Sequence, residues 1–239
     1  MIICVTPEDL ARDRTPKYNG RVTEMFGDRA VPWDGPCGHL VRQRHKDSNP
    51  PHFHEADQYQ IFVAGEARVG GHQVKAGSVH YSDGYSGYGP IEAGPDGCTY
   101  LTLRPVFDTS NHPLPQDAKL ARGRKGQQQV AEMDLGDGAR EGVATLFQRP
   151  DGVGVYQQDA APGAALPEVP TTGGSYWLVM KGEVAVDGRP CPEGTCLWVG
   201  EGETRPAMTA GAEGATVAVM CFAARQSAAA RGAKAGLAA

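Results

Sequence analysis

QYQIFVAGEARVGGHQVKAGSVHYSDGYSGY (residues 58–88) decides the fold of this chain, because SYWLVMKGEVAVDGRPCPEGTCLWVGEGETR (175–205) matches it without a gap. The match has an offset of 117 residues and extends over 58–103 and 175–220, where about ten of the 46 aligned positions are identical. Shared glycines include the pairs 65/182, 71/188 and 97/214. The 239-residue chain is therefore predicted to contain two copies of one unit.

Short strand-like runs fill both copies, with turn residues between them. Gly70-Gly71 in the first copy and Asp187-Gly188 in the second are typical two-residue hairpin turns. Many short strands at regular spacing, without a helical pattern, predict an all-β barrel or sandwich. We predict an N-terminal domain over 1–112 that begins with an irregular arm or edge strand, a linker over 113–140, a C-terminal domain over 141–224 and a flexible tail over 225–239.

Composition and charge exclude several classes of function. The net charge of −5 and pI near 5.8 give no general attraction to nucleic acid or to an anionic membrane. No run of 18 apolar residues is present, and the first residues, MIICVTPEDLARDR, carry acids and a proline where a signal peptide would be apolar. The six cysteines form no CxxC pair and are expected to be buried small residues. A cytoplasmic protein without a nucleic-acid or membrane partner is expected.

The histidines distinguish the two copies, since all seven lie at or before His112. His52, His54 and Gln58 are separated by even numbers of residues, so on an extended strand they can point into one barrel. Two adjacent imidazoles are suitable ligands for Fe, Mn, Ni, Cu or Zn. The alternative is that they are polar residues bonded to carbonyls near a barrel rim. In either case the candidate chemistry is confined to the first copy.

PPHFHEADQYQIFVAG (50–65) followed by AGSVHYSDGYSGY (76–88) resembles the paired motifs of the cupins, which are double-stranded β-helix (jelly-roll) barrels. The duplicated unit makes the chain resemble a bicupin. The resemblance covers 35–107 and, more weakly, 143–223. It implies an all-β fold of two tandem cupin barrels.

The cupin metal motif is degenerate in the first copy and missing from the second. The resemblance implies a metal set of His52, His54, Gln58 and Tyr88, with Gln58 in place of the family's acid and Tyr88 in place of its third histidine. Neutral glutamine is a poor ligand, and tyrosine binds well only as a phenolate, which favours Fe(III). The second copy has Val169, Thr171, Ser175 and Arg205 at these positions, so a structural role or a homodimer contact is expected of it.

His80 is a possible substitute ligand on the strand SVHYS (78–82). If Ser78, His80 and Ser82 face the barrel interior, His80 can be the third ligand. If Val79 and Tyr81 face inward, as their apolar partners in the second copy suggest, His80 lies on the surface. The second orientation is favoured.

A ligand pocket is expected near the tyrosine- and glycine-rich stretch 81–90, which contains Tyr85 and Tyr88. Tyrosines on such a loop can hold a small aromatic or oxygenated ligand, although the stretch could also be a simple turn. Arg42, Arg44 and Arg104 could clamp a carboxylate, or could lie on the outer face.

The resemblance implies that a divalent transition metal in the N-terminal barrel acts on a small organic molecule, in dioxygenase- or isomerase-like chemistry. Tyr88 would be a ligand or an acid/base group in that reaction. The alternative is a non-catalytic small-molecule-binding protein, or a structural bicupin, without metal.

Overall fold

The computed structural model describes residues 1–13, 22–27, 33–121, 127–136 and 141–224, so the predicted tail lies outside the described residues. No helix within these ranges is both long and apolar enough to cross a membrane. The elements are β1 (Ile2–Val5), α1 (Pro7–Asp13), β2 (Val22–Phe26), β3 (Cys37–Gln43), β4 (Ser48–Asn49), β5 (His52–Phe53), β6 (Gln58–Val69), β7 (His72–Lys75), β8 (Ser78–Ser82), β9 (Ile91–Arg104), β10 (His112–Pro113), β11 (Gln128–Glu132), β12 (Gly142–Gln148), β13 (Gly154–Ala160), β14 (Ser175–Val186), β15 (Arg189–Pro192), β16 (Cys196–Val199) and β17 (Met208–Cys221).

Two antiparallel sheets, one for each copy of the repeat, account for nearly all of the elements. The first has the order β11-β8-β6-β9-β3-β2, with β7 on β6 and β4 on β9. The second has the order β1-β16-β14-β17-β13-β12, with β15 on β14. In each sheet the two longest strands, β6 and β9 or β14 and β17, pair along most of their length. The predicted all-β class is confirmed.

A close approach between these long strands explains why two glycine pairs recur in the repeat. Gly65 has a φ of +69°, and a Cβ there would lie 2.1 Å from the carbonyl oxygen of Gly97. Gly182 has a φ of +74°, and its Cβ would lie 2.2 Å from the carbonyl oxygen of Gly214. Both positions exclude a side chain. They lie where the ladder register shifts and the long strands bend.

Two strands differ from the predicted domain bounds. β1, expected at the edge of the N-terminal domain, pairs instead with β16 of the second sheet. β11 lies within the segment predicted as a linker, yet it pairs with β8 of the first sheet. Because β16 and β8 are equivalent strands, β1 and β11 occupy matching places on opposite halves. The N-terminal strand β1 is therefore part of the second half of the fold.

The main apolar core lies between the two halves. Ile61, Val79 and Tyr81 of the first half belong to the same buried cluster as Leu178 and Trp198 of the second. This arrangement corrects the predicted orientation of β8: Val79 and Tyr81 do face an apolar core, but it is the core between the halves. Their neighbour His80 therefore faces the interior of the first half and is completely buried.

Two tyrosines cross the contact between the halves in a pseudo-twofold manner. The hydroxyl of Tyr59 donates to the carbonyl oxygens of Cys221 and Gly154, at 2.7 and 3.1 Å. The hydroxyl of Tyr176, at the equivalent position, donates to the carbonyl oxygens of Arg104 and Cys37, at 2.8 and 3.2 Å. All four acceptors are related by the same offset as the repeat. The two halves thus pack as a pseudo-symmetric pair.

Candidate functional site

The interiors of the two halves differ in polarity at equivalent positions. In the first half six inward side chains of β6, β8 and β9 are polar and at most 6% exposed: Gln58, Gln60, His80, Ser82, Thr102 and Arg104. The same interior also contains an apolar cluster that includes Phe62 and Tyr100. The matching positions of the second half are mostly apolar and equally buried: Ser175, Trp177, Leu197, Val199, Val219 and Cys221. The scaffold therefore tolerates apolar side chains at these six positions. Polar groups also enter the second half, at Gln158 and Arg205, but they lie at other positions.

Tyr88 and the two predicted histidines lie together in the first half. His52 and Tyr88 form an antiparallel bridge, and the Tyr88 hydroxyl lies 2.8 Å from His52 Nε2. His52 Nδ1 faces the carbonyl oxygen of Pro50 at 2.7 Å, so Nδ1 carries the proton and Nε2 accepts from Tyr88. The ring centres of His52 and His54 are 5.0 Å apart. His54 Nδ1 donates to the carbonyl oxygen of Ser110, which leaves its Nε2 as an acceptor.

Arg104 is the basic residue that enters this interior, and it is only 3% exposed. Its Nε donates to Gln58 Oε1 at 3.2 Å and its Nη1 donates to the carbonyl oxygen of Asp108 at 2.7 Å. The Gln58 amide is therefore oriented by Arg104, and its buried Nε2 has no hydrogen-bond partner among the described residues. The Asp108 carboxylate is held by the backbone N–H groups of Ala56 and Ser110.

Burial makes the imidazoles of this interior poor bases. Desolvation, assisted by the positive charge of Arg104, lowers the pKa of His54 to about 2. Desolvation also lowers the pKa of His52, and it lowers the pKa of His80 to about 4. In the opposite direction, burial raises the pKa of Tyr88 to about 12. At neutral pH the imidazoles and the phenol are uncharged, and the charged groups near them are the Arg104 guanidinium and the Asp108 carboxylate.

His80 lies near this cluster, contrary to the predicted surface position. Its ring centre is 5.4 Å from that of Tyr88. Its Nδ1 lies 3.0 Å from the side-chain amide of Gln60 and its Nε2 lies 3.3 Å from the side-chain amide of Gln128 on β11. A neutral imidazole donates from one nitrogen and accepts at the other, so the two amides engage both nitrogens. No lone pair of His80 is therefore directed at His52 or His54. His80 links β6, β8 and β11 across the interior.

The other residues predicted for a ligand pocket lie outside the interior. Tyr85 donates its hydroxyl to Glu55 at 2.9 Å and lines a cleft of about 1200 Å³ between the two halves. Arg42 and Arg44 are both exposed, and Arg42 lines a groove between the two halves. Arg104, the third arginine that could clamp a carboxylate, differs from these two because it lies in the interior and is only 3% exposed.

A surface segment covers the histidine pair. β10 pairs with β5, and His112 stacks on Phe53 with ring centres 4.7 Å apart. The backbone of Ser110 accepts the His54 hydrogen bond described above. His54 remains partly exposed, whereas His52 and Tyr88 are each only 5% exposed. The solvent therefore reaches the cluster at His54.

The described residues do not fit a divalent metal held by the protein alone. Within the described ranges, no three His, Cys, Asp or Glu side chains converge as a metal site. Of the four residues that the cupin resemblance assigns, His52 accepts from Tyr88, Gln58 offers its oxygen to Arg104, and the Tyr88 phenol is protonated at neutral pH. Of these four residues, only His54 has a nitrogen lone pair, on Nε2, that no described hydrogen bond uses. The buried guanidinium beside these groups also repels a cation.

Comparison with known proteins identifies the fold. No protein-family model matches the chain, and no curated protein sequence matches it. Among solved structures, a putative dioxygenase from Nostoc punctiforme is 11% identical with a TM-score of 0.58, covering 92% of this chain and 82% of its own. A bacterial pirin from Escherichia coli, solved in complex with nickel(II), is 11% identical with a TM-score of 0.58, covering 92% and 99%.

A salicylate 1,2-dioxygenase from Pseudoaminobacter salicylatoxidans, solved as adducts with gentisate, is 10% identical with a TM-score of 0.55, covering 92% and 80% of the two chains. At these identities the likeness concerns the backbone fold. It extends over most of the chain, including both halves of the repeat. The protein thus has an all-β, cupin-type fold.

Proposed function

We propose that the first half binds a small organic acid in its polar interior and holds the carboxylate through Arg104 rather than through a divalent metal. The observation that carries this proposal is the difference between the two interiors. On one scaffold, the second half buries Leu197 and Cys221 where the first buries His80 and Arg104. Burying polar and charged groups costs free energy, so a polar interior that packing does not require points to a binding function.

The hydrogen-bonding groups favour an anion that also carries a hydroxyl group. Arg104 and the Gln58 Nε2 are donors, and Gln58 Nε2 has no partner among the described residues. A carboxylate oxygen would accept from both, and a guanidinium pairs well with planar carboxylates. His54 Nε2 is an acceptor that could receive a hydrogen bond from a ligand hydroxyl. Hydroxy acids offer both groups in a small volume.

Access to this site requires movement of the segment that covers it. The side chains of Gln58, Arg104 and Tyr88 are nearly inaccessible in the closed arrangement. The covering segment is held by the Asp108 carboxylate, by the short pairing of β10 with β5 and by hydrogen bonds of Ser110 with His54 and Glu55. The stacking of His112 on Phe53 adds a further contact. Opening of this segment on the His54 side would expose the donors to a ligand.

Proton transfer on the bound acid, of the isomerase type, is a second candidate function. The observation in its favour is the 2.8 Å contact between the Tyr88 hydroxyl and His52 Nε2. In the closed state the proton stays on Tyr88, because its pKa is raised whereas that of His52 is lowered. A bound substrate that displaces this contact would have Tyr88 as a proton donor and His52 as an acceptor. Deuterium incorporation into 2-hydroxy and 2-oxo acids in D2O, followed by NMR, tests this activity.

Calorimetric titration with salicylate, benzoate and salicylamide tests the proposal. Salicylate should bind most tightly, benzoate more weakly, and salicylamide, which lacks the charge, should not bind measurably. Arg104→Gln should abolish salicylate binding. Arg44→Gln removes the same charge from an exposed position, outside both the interior and the groove that Arg42 lines, and should leave it unchanged. Gln58→Glu places a carboxylate beside Arg104 and should also abolish binding.

Elemental analysis of the same preparations tests the metal-dependent alternative. The proposal expects no stoichiometric transition metal in the wild-type protein, even after exposure to Fe, Mn, Ni, Cu and Zn. About one metal ion per chain that disappears in a His52→Ala/His54→Ala variant would overturn it and favour the metal-dependent function. Equal binding of salicylate and salicylamide would also overturn it.

A further inference from the structure

A groove between the two halves has a lining unlike that of the polar interior. It measures about 790 Å³, and its wall is built mainly from aliphatic side chains: Leu10, Met25, Leu40, Val63, Leu101, Leu135, Leu178 and Met180. These residues come from α1, from both sheets and from the segment after β11. The groove therefore exists only because the two halves are packed together.

The charges at the groove favour an anion. Arg42 and Lys181 both line it, and Glu193 is its one acidic residue among the described lining positions. Arg42 is exposed, and its described side-chain hydrogen bond is a long one of 3.4 Å to the Thr23 hydroxyl. No carboxylate pairs with Arg42 within the described ranges. A guanidinium at the margin of an aliphatic groove is arranged to receive a negatively charged head group.

We propose that this groove binds an acyl-chain carboxylate, such as a medium-chain fatty acid, with its chain along the aliphatic wall and its carboxylate at Arg42. The volume lies within the range typical of small-molecule sites. The aliphatic wall would contact the acyl chain, and Arg42 and Lys181 would attract the carboxylate. This site is independent of the proposed organic-acid site, from which it differs in every lining residue.

Fluorescence displacement of 11-(dansylamino)undecanoic acid by laurate, below its critical micelle concentration, tests this inference. Laurate should compete, dodecanol should compete more weakly, and dodecylamine should compete least because Arg42 and Lys181 repel its charge. Affinity should rise from octanoate to laurate by up to about fourfold for each added methylene. Arg104→Gln should leave these affinities unchanged.

Two variants separate the wall from the head-group contact. Val63→Trp should fill the groove and weaken laurate binding by more than about tenfold, since the chain loses most of its contact. Arg42→Gln should weaken laurate binding about two- to fivefold, as expected for an exposed ion pair, without affecting dodecanol. Arg44→Gln, which removes a nearby exposed charge outside the groove, is the matched control and should have no effect.

Three results would overturn the inference. They are laurate binding that survives Val63→Trp, equal competition by laurate and dodecylamine, and absence of displacement at the solubility limit of laurate. Loss of salicylate binding together with intact laurate binding in Arg104→Gln would support two separate sites.

Discussion

Mild acid should destabilise this protein through its buried imidazoles. His80 is completely buried, and His54 is partly buried close to the charge of Arg104. Burial lowers the pKa of His80 to about 4 and that of His54 to about 2, whereas an unfolded histidine titrates near 6.5. Below that pH these histidines are protonated in the unfolded chain but stay neutral in the folded chain. Stability therefore falls as the pH drops from about 6.5 towards these lowered values.

The size of this effect follows from the shifts. At pH 5.0, about 1.5 units below the unfolded value, each of these two histidines removes about 2 kcal/mol at 1.36 kcal/mol per unit. The two together should lower the free energy of unfolding by about 4 kcal/mol between pH 7.5 and 5.0. The lowered pKa of His52 adds in the same direction. The Asp108 carboxyl, whose pKa is lowered below 3.8, contributes only in more acidic solutions.

Urea unfolding at pH 7.5 and 5.0 measures this loss directly, because the extrapolated free energy is obtained separately at each pH. His80→Gln and His54→Gln should each reduce the pH-dependent loss by about 2 kcal/mol. His45→Asn, which removes an exposed imidazole outside the interior, is the control and should leave the loss unchanged. A wild-type loss below about 1 kcal/mol, or an unaltered loss in both glutamine variants, would refute the argument.

Three further substitutions test the packing. Tyr59→Phe and Tyr176→Phe should each cost about 1 kcal/mol in urea unfolding, since each removes a buried hydroxyl that donates across the two halves; a stabilising effect would contradict the pseudo-symmetric contact. Gly65→Ala should destabilise strongly because its Cβ would lie 2.1 Å from a carbonyl oxygen, whereas Gly71→Ala meets nothing within 4 Å and should be close to neutral by thermal unfolding. Trp198→Ala should cost about 3–5 kcal/mol, and a cost below about 1 kcal/mol would show that Trp198 does not pack in the core between the halves.

Several features of the fold could be predicted from local chemistry. The repeat identified two similar β units, and the recurring glycines reflect a backbone approach that excludes any side chain at Gly65 and Gly182. The even spacing of His52 and His54 indicated that their side chains lie close together, as the structure shows. The cupin motif placed Tyr88 beside them. These inferences depend on residues that are neighbours along a strand or within one motif.

The orientation of His80 and the exchange of β1 and β11 could not be predicted in this way. Strand alternation divides side chains between two faces, but both faces of this sheet are buried, one in the interior and one against the second half. The apolar character of Val79 and Tyr81 therefore did not indicate which face of the strand points into the interior of the first half. β1 pairs with a strand about 190 residues further along the chain, and its own four residues carry no information about that partner.

Burying a charged group in the first half costs free energy that the second half avoids at the equivalent position. Arg104 is 3% exposed, and its positive charge lowers the pKa of both neighbouring histidines. Its hydrogen bonds within the described residues go to neutral groups, Gln58 and a backbone carbonyl. The Asp108 carboxylate interacts with its charge, but the oxygens of that carboxylate accept from the backbone N–H groups of Ala56 and Ser110. The second half shows that a thiol, Cys221, can fill the equivalent position on the same backbone. A ligand carboxylate would give Arg104 the direct ion pair that it does not form within the described residues, and we therefore place the anion at Arg104.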